Sequence, residues 1–112
     1  MYHYQVLSVD RVIDGDTVEV TLDLGFSLFT KQKVRVLGIN TPELKSKDPL
    51  EKARALEARR HAEKWFASGN FTVHTMKDDK YGRILGDFEK EGEELTFSES
   101  VLRGGFGIVY NG

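Results

Sequence analysis

A run of eight residues, 17–24, constrains the fold most, because polar and apolar side chains alternate along its whole length. The apolar positions are Val18, Val20, Leu22 and Leu24, and the polar positions are Thr17, Glu19, Thr21 and Asp23. Because the pattern repeats at every second residue, all the apolar side chains lie on one face of an extended strand. We therefore predict a strand over residues 17–24 with one buried face and one solvent-facing side.

Four more strands are predicted from the rest of the chain. They cover residues 5–13, 33–37, 71–76 and 84–88, which are rich in β-branched and other apolar side chains. Alternation within the 33–37 segment puts Arg35 on the face opposite Val34 and Val36. The sequence therefore predicts a sheet that turns the Arg35 side chain away from the apolar core.

A long helix is predicted after the third strand. Asp48 can cap its N-terminus, Pro49 suits the first helical position, and Gly69 is a suitable C-terminal stop. Small and aromatic side chains recur at helical spacing, namely Ala55, Ala58, Ala62, Trp65 and Phe66. These residues predict a helix of roughly five turns that packs on the core.

The order of elements predicts an α+β, mainly β fold. A short second helix, capped by Thr96 or Ser98 and ended by Gly104, follows the last strand. This order fits a five-stranded OB-fold barrel with one long helix after strand 3 and a short C-terminal helix, an architecture that often binds oligonucleotides. The chain has 112 residues, enough for one core, so residues 1–112 are predicted to form a single domain.

Charge and composition limit the kinds of site that the chain can carry. Sixteen Lys and Arg residues stand against eighteen Asp and Glu residues, so phosphate recognition must be local. Because there is no cysteine, disulfides and thiolate metal sites are excluded, which leaves oxygen ligands or the three histidines. The N-terminus lacks a basic region followed by an apolar run, and no segment approaches about 18 apolar residues. We therefore predict neither a signal peptide in this chain nor a membrane span.

Three short motifs carry the candidate chemistry. They are Ile-Asp-Gly-Asp-Thr at 13–17, Arg-Val-Leu-Gly-Ile-Asn-Thr-Pro-Glu at 35–43 and Lys-Tyr-Gly-Arg at 80–83. Together they supply acidic oxygens for a hard cation, a carboxylate beside them and two arginines, a combination suited to phosphodiester hydrolysis. In order, spacing and flanking residues, the motifs resemble the staphylococcal nuclease (thermonuclease) family of calcium-dependent OB-fold enzymes, over about residues 9–110.

This resemblance implies a Ca²⁺ site. Asp16 corresponds to a direct ligand, Asp14 to a nearby carboxylate that acts through water, and Thr41 to a ligand through its backbone carbonyl. Asn40 stands where the best-known relatives have a metal-coordinating aspartate, so we expect one negative charge fewer and weaker calcium binding. The alternative is that Asn40 only caps the turn before Thr41 and Pro42, in which case the metal site is impaired.

The resemblance also assigns catalytic roles to three residues. Glu43 corresponds to the carboxylate proposed to activate the attacking water as a general base. Arg35 and Arg83 correspond to the arginines that stabilise the negative charge of the phosphorane-like transition state. Taken alone, Glu43 would be a solvated surface charge, and an arginine in a strand is more often paired with a surface carboxylate.

Three further residues are candidates for substrate binding. Lys80 and Tyr81 resemble residues that contact a terminal phosphate and the nucleotide. Tyr110 is a candidate for stacking on a base, although an aromatic residue near the end of a small domain is as readily a core residue.

The function implied by the resemblance is a calcium-dependent nuclease. It would hydrolyse single-stranded or frayed DNA, with RNA as a further candidate, and leave 3′-phosphate and 5′-hydroxyl ends. A monomer without membrane contact is expected, and the cellular location stays open between intracellular, virus-encoded and secreted with its signal removed. The alternative is an OB-fold module that binds nucleic acid or protein and has lost most of its catalytic power.

Overall fold

The computed structural model describes residues 2–78 and 82–111, which form seven strands and two helices. In chain order these are β1 (Tyr2–Asp14), β2 (Thr17–Gly25), β3 (Leu28–Val36), β4 (Ile39–Asn40), α1 (Pro49–Trp65), β5 (Phe71–Asp78), β6 (Ile84–Lys90), α2 (Phe97–Arg103) and β7 (Ile108–Val109). No helix within these residues is both long enough and apolar enough to cross a membrane.

Five of the strands close into a barrel in the order β1-β2-β3-β6-β5. Neighbouring strands run antiparallel except β3 and β6, which pair in parallel through Val34 with Ile84 and Val36 with Gly86. The two remaining strands, β4 and β7, form a separate antiparallel pair. The predicted α+β, mainly β fold with a five-stranded OB-type barrel is confirmed.

The barrel interior holds the predicted alternating side chains of β2 as far as Leu22, whereas Leu24, predicted on the same buried face, is 44% exposed near the end of the strand. Val20, Val34, Val73 and Phe88 are fully buried, and Phe97 of α2 closes one side of the same cluster. The buried face of α1 is formed by small side chains, Ala55, Ala58 and Ala62. Small side chains let the helix backbone lie close to the sheet and to the turn between β1 and β2.

The helix caps agree with the sequence at the N-terminal ends and differ at one C-terminal end. Asp48 caps α1 with Pro49 at the first position, and Thr96 rather than Ser98 caps α2 in a capping box with Glu99. However, α1 ends at Trp65, so the predicted stop at Gly69 is wrong. The next residue, Phe66, is the C-cap, and its backbone N–H donates to the Ala62 carbonyl at 2.9 Å.

The strand boundaries show where periodicity fails as a signal. β1 begins at Tyr2 and β3 at Leu28, each earlier than predicted, because cross-strand backbone pairing extends past the buried alternating segment. The strands β4 and β7 were not predicted, since two residues are too few to show any period.

Candidate active site

The turn between β1 and β2 brings two acidic side chains against the first helix. Asp14 ends β1, Asp16 precedes β2, and the Asp16 backbone N–H donates to Asp14 Oδ1 at 3.0 Å. A Cβ added to Gly15 would lie 2.7 Å from Ala58 Cβ and 3.0 Å from the Thr41 side chain, so this position requires glycine. The close approach fixes the acidic turn relative to Thr41.

Asp16 is the point where three separate segments meet. Its Oδ2 lies 3.4 Å from Arg35 Nη2 and accepts a hydrogen bond of 3.1 Å from the Thr41 backbone N–H. The Asp16 and Arg35 side chains are only 9% and 13% exposed. The structure therefore brings together residues from the first two motifs, as the sequence predicts for a common site.

The Arg35 guanidinium is held by several protein groups. Nη1 donates to the Val36 carbonyl at 2.7 Å, and Nη2 donates to the Ile39 carbonyl at 3.0 Å and to Asn40 Oδ1 at 3.4 Å. A guanidinium has five N–H donors, so these contacts leave donors for a further partner. Arg35 is thus preorganised on the backbone that leads into Asn40.

Burial and mutual repulsion separate the pKa values of the two aspartates. Burial, reinforced by the neighbouring Asp16, raises the pKa of Asp14 to about 6. Burial alone would also raise the pKa of Asp16, but hydrogen bonding with Asp14, the Arg35 charge and hydrogen bonds from Thr41 together lower it. A carboxylate pair of this kind favours a cation nearby, because each negative charge destabilises the other.

We predict that Asp14→Asn raises the free energy of unfolding near pH 7. The pKa of Asp14 is about 6 in the fold against 3.8 normally, so the folded chain holds this proton more tightly. Stability therefore falls as the pH rises from about 4 to about 6, and above that range the loss caused by ionised Asp14 is complete and no longer changes with pH. Because Asp14 is partly exposed, we expect a gain on the order of 1 kcal/mol at pH 7 that shrinks towards pH 4.

Denaturant unfolding of both proteins in chelator, at several pH values between these limits, measures this difference. Asparagine keeps the Oδ1 acceptor for the Asp16 N–H, so the variant removes only the charge. A stability difference that does not change with pH would contradict the predicted proton uptake by Asp14.

The β4–β7 pair forms one wall of the site. Ile39 pairs with Val109, Asn40 pairs with Ile108, and the Tyr110 N–H donates to the Gly38 carbonyl at 3.0 Å. A Cβ at Gly107 would lie 2.8 Å from the Asn40 carbonyl, so glycine is needed for this approach. Gly107 was not singled out by the sequence, because its only signal is a contact with a distant segment.

Tyr110 lies next to the Arg35 side chain. Its ring centroid is 5.8 Å from the Arg35 guanidinium carbon, and the residue is 48% exposed. The core alternative for Tyr110 is therefore wrong, because nearly half of the residue faces solvent. The exposed ring remains a predicted stacking surface for a base.

Glu43 occupies a loop that follows the buried Thr41. It is exposed, and its carboxylate has no hydrogen bond or ion pair with any residue in the ranges 2–78 and 82–111. Its backbone N–H donates to Glu51 Oε1 at 3.4 Å, while Ser46 Oγ donates to Glu51 Oε2 at 2.7 Å. Glu51 therefore ties this loop to α1, a role that the sequence did not predict because no spacing signals it.

A groove of about 570 Å³ opens beside this loop. It lies between α1 and the segment before β7, and its lining includes Asn40, Glu43, Arg54, Phe106 and Ile108. The Glu43 carboxylate thus has free space next to it, on the same side as Asn40.

The third motif lies partly outside the described residues. Lys80 and Tyr81 lie outside them, so their predicted contacts with a nucleotide are not described. Arg83 is half-buried and directly precedes β6, whose Leu85 pairs with Arg35. Arg35 therefore lies in β3, and Arg83 lies just before the strand that pairs with β3 in parallel.

The predicted metal ligands are oxygen donors only. In the part of the chain that the structure describes, no three His, Cys, Asp or Glu side chains converge to hold a metal ion. The predicted set differs from such a cluster, since it contains the two carboxylates of Asp14 and Asp16 with the Asn40 amide and the Thr41 carbonyl. Hard oxygen donors of this type, next to a mutually repelling carboxylate pair, suit Ca²⁺ chemically.

A closed barrel of five strands with an acidic turn and an arginine at one end defines an OB-fold protein with a nuclease-like site. Residues 33–111 match the staphylococcal nuclease homologue family, and the chain belongs to this family. The matched segment includes Arg35, Asn40, Glu43 and Arg83. Asp16 lies before the matched segment, so its place in the site rests on the geometry.

Three curated relatives extend over nearly the whole chain. The chain is 29% identical over 106 residues to Endonuclease YncB of Bacillus subtilis, covering 92% of this chain and 47% of the relative. The SPbeta prophage-derived endonuclease YokF of the same organism is also 29% identical over 106 residues, covering 92% of this chain and 33% of the relative. The uncharacterized protein MJ1439 of Methanocaldococcus jannaschii is 28% identical over 124 residues, covering 91% of this chain and 58% of the relative. The chain thus spans between a third and three fifths of their lengths.

Proposed function

We propose that residues 1–112 form one thermonuclease-like domain that acts as a calcium-dependent phosphodiesterase. The observation that carries this proposal is the meeting of Asp16, Arg35 and Thr41 at a single, largely buried point. These residues come from two of the three sequence motifs, and Arg83 of the third motif directly precedes β6, the strand that pairs with β3 in parallel. Two relatives named as endonucleases support the same activity.

The substrate we propose is single-stranded or frayed DNA, with RNA as a second polymer, bound by a monomer. Water attacks phosphorus in line, the bond from phosphorus to the 5′ oxygen breaks, and the 5′ oxygen takes up a proton. The products are a 3′-phosphate and a 5′-hydroxyl. Exposed Tyr110 supplies a stacking surface next to Arg35, and Lys80 and Tyr81 contact the nucleotide and its phosphate.

Each catalytic side chain has a separate task in this proposal. Glu43, exposed beside an open groove, orients the attacking water and accepts its proton. Arg35 and Arg83 donate hydrogen bonds to the phosphate oxygens that gain charge in the transition state. Because Arg35 is already anchored on the Val36 and Ile39 carbonyls, little reorganisation is needed when the substrate binds.

Four oxygen donors would hold the calcium ion. They are the carboxylates of Asp16 and, through water, Asp14, with the Asn40 side-chain oxygen and the Thr41 backbone carbonyl. When bound, calcium supplies the positive charge that makes a water molecule more acidic at neutral pH. Asn40 adds an oxygen without a charge, which weakens the electrostatic attraction for a divalent ion.

The proposed function is tested by cleavage of labelled single-stranded DNA while calcium is titrated from zero to saturation. We expect cleavage to need calcium, and Asn40→Asp to reach half-maximal rate at roughly tenfold lower calcium because it restores one ligand charge. The matched control is Asn70→Asp, since Asn70 lies in a separate groove with Gln5 and Thr72. Cleavage in chelator at the same rate as in calcium would contradict the metal-dependent proposal.

A second candidate function is a binding module with little catalytic power. It is favoured by one observation: the neutral Asn40 side chain already accepts a hydrogen bond from Arg35, which is otherwise a phosphate-binding group. Under this alternative the unchanged chain binds oligonucleotide in a salt-dependent manner without cutting it, and Asn40→Asp restores cutting.

A further inference from the structure

The outward face of β3 carries a row of exposed side chains that leads away from Arg35. Phe29, Lys31 and Lys33 occupy every second position before Arg35, while Val34 and Val36 point into the core. Alternate residues on one face of a strand are about 6.7 Å apart, so the row from Arg35 to Phe29 is about 20 Å long. Phe29 is 65% exposed. The candidate active site uses only the Arg35 end of this row.

The strands on either side of β3 leave this row accessible. β6 pairs with β3 only from Val34 to Val36, so the Phe29 to Lys33 part has no partner on that edge among the described residues. Lys31 and Lys33 are exposed, and neither forms an ion pair with another residue in the ranges 2–78 and 82–111. Both side chains therefore face solvent, and Lys31 also acts on Asp10 of β1, whose pKa is lowered by the Ser8 and Thr21 hydroxyls and further by the Lys31 charge.

Acidic side chains lie on β2 and β1 rather than along the free edge. On β2, Glu19 is opposite Lys33, Thr21 is opposite Lys31, and Asp23 is opposite Phe29. Glu19 is also opposite Arg11 on β1, so this one acid lies between two cations.

The third acid of this face, Asp10 on β1, accepts hydrogen bonds from the Ser8 and Thr21 hydroxyls. The positive charge on this face therefore lies along the edge of β3 that β6 leaves unpaired.

We propose that Phe29, Lys31 and Lys33 form a track for single-stranded nucleic acid that extends the active site along β3. The two lysines bind successive phosphates beyond the one held at Arg35, and Phe29 stacks on a base. This pairing of a cationic line with an aromatic ring is how OB-fold proteins hold single strands without sequence preference. The track depends on the proposed function only because its ligand is the same single-stranded polymer. It contacts the nucleotides that lie away from the scissile bond.

Another explanation of the lysines leads to a different experimental result. Lysine on a free strand edge prevents edge-to-edge pairing with a second copy of the chain. That explanation predicts association of the protein when Lys31 and Lys33 are replaced, with no change in oligonucleotide affinity. It also gives no reason for an exposed phenylalanine at the end of the same row.

The experiment compares three variants with the unchanged chain. They are Lys31→Ser with Lys33→Ser, Phe29→Ser alone, and a control with the same charge change on exposed positions of α1, Lys52→Ser with Lys64→Ser. Affinity for a fluorescent oligothymidylate is measured in chelator over a series of salt concentrations, and analytical ultracentrifugation reports the oligomeric state.

We expect the double β3 variant to reduce the slope of log affinity against log salt by about 1.4, since each phosphate contact contributes about 0.7 for single strands. Phe29→Ser is expected to weaken binding roughly tenfold with the slope unchanged. The α1 control is expected to bind as the unchanged chain does. Equal affinities and slopes in all four proteins overturn the track, and so does association of the β3 variant without loss of affinity.

Cleavage of a dinucleotide separates this proposal from the proposed function. A dinucleotide without terminal phosphates has a single phosphate, which Arg35 holds, so it offers none to Lys33 or Lys31 and the β3 variants should cut it at the rate of the unchanged chain. If no protein cuts the dinucleotide or a longer single strand in calcium while the salt slope still falls, the track stands and the nuclease proposal fails. If the β3 variants lose dinucleotide cleavage as strongly as they lose oligonucleotide binding, the track is overturned, because the changes then act on the site itself.

Discussion

Glu43→Gln is expected to lower the rate of DNA cleavage by about two to four orders of magnitude at saturating calcium. The substitution keeps the shape of the side chain and removes the basic carboxylate that accepts the proton from water. Because Glu43 is exposed and its carboxylate has no hydrogen bond within residues 2–78 and 82–111, the fold should be unaffected. Single-turnover cleavage gives the rate, and thermal unfolding confirms the stability.

The matched control for this prediction is Glu57→Gln. Glu57 lines the same groove as Glu43 but lies on α1, so the variant makes the same charge change without touching the loop after Thr41. We expect it to cut at nearly the unchanged rate. Equal losses in both variants would show that the groove needs only negative charge, and would remove Glu43 from the role of general base.

Arg35→Lys is expected to lower the cleavage rate by about two to three orders of magnitude. Lysine retains the positive charge beside Asp16 but lacks the planar fork that bonds two carbonyls and still presents donors to a phosphate. The loss should appear mainly in kcat, because the guanidinium acts on charge that develops in the transition state.

The control for Arg35 is Arg60→Lys on the exposed side of α1, which should cut as the unchanged chain does. Calcium binding measured without substrate tests whether Arg35→Lys has disturbed the Asp16 side of the site instead. A variant that binds calcium normally and keeps its cleavage rate within a few-fold would show that charge alone at this position suffices.

The barrel strands could be predicted from the sequence because apolar and polar residues alternate where one face of a strand is buried. The 17–24 segment and the Asp48 and Thr96 caps are local signals, and the structure confirms them except at Leu24, which is exposed. The end of α1 was mispredicted because the helix ends at Trp65 with Phe66 as its C-cap, where no glycine marks the end. Strand order was not readable from the pattern at all, since pairing partners leave no local mark.

The candidate site could be predicted only as a set of motifs. Resemblance to a family grouped Asp16, Arg35 and Thr41, and the structure gives the distances that join them. Glu51 was missed because no spacing signals its hydrogen bonds to the nearby loop, and Gly107 was missed because its close approach is to the distant Asn40 carbonyl. The roles of such residues can be identified only from their contacts in the three-dimensional structure.

Pairing of β4 with β7 has a consequence for the order in which the protein assembles. The contact joins Ile39 to Val109, and Tyr110, which lies beside Arg35, directly follows β7. During synthesis from the N-terminus, the five barrel strands and α1 emerge well before β7. All five barrel strands are therefore synthesised before β7, which completes the wall of the site formed by the β4–β7 pair. The nascent chain carries an incomplete site until translation has passed residue 110.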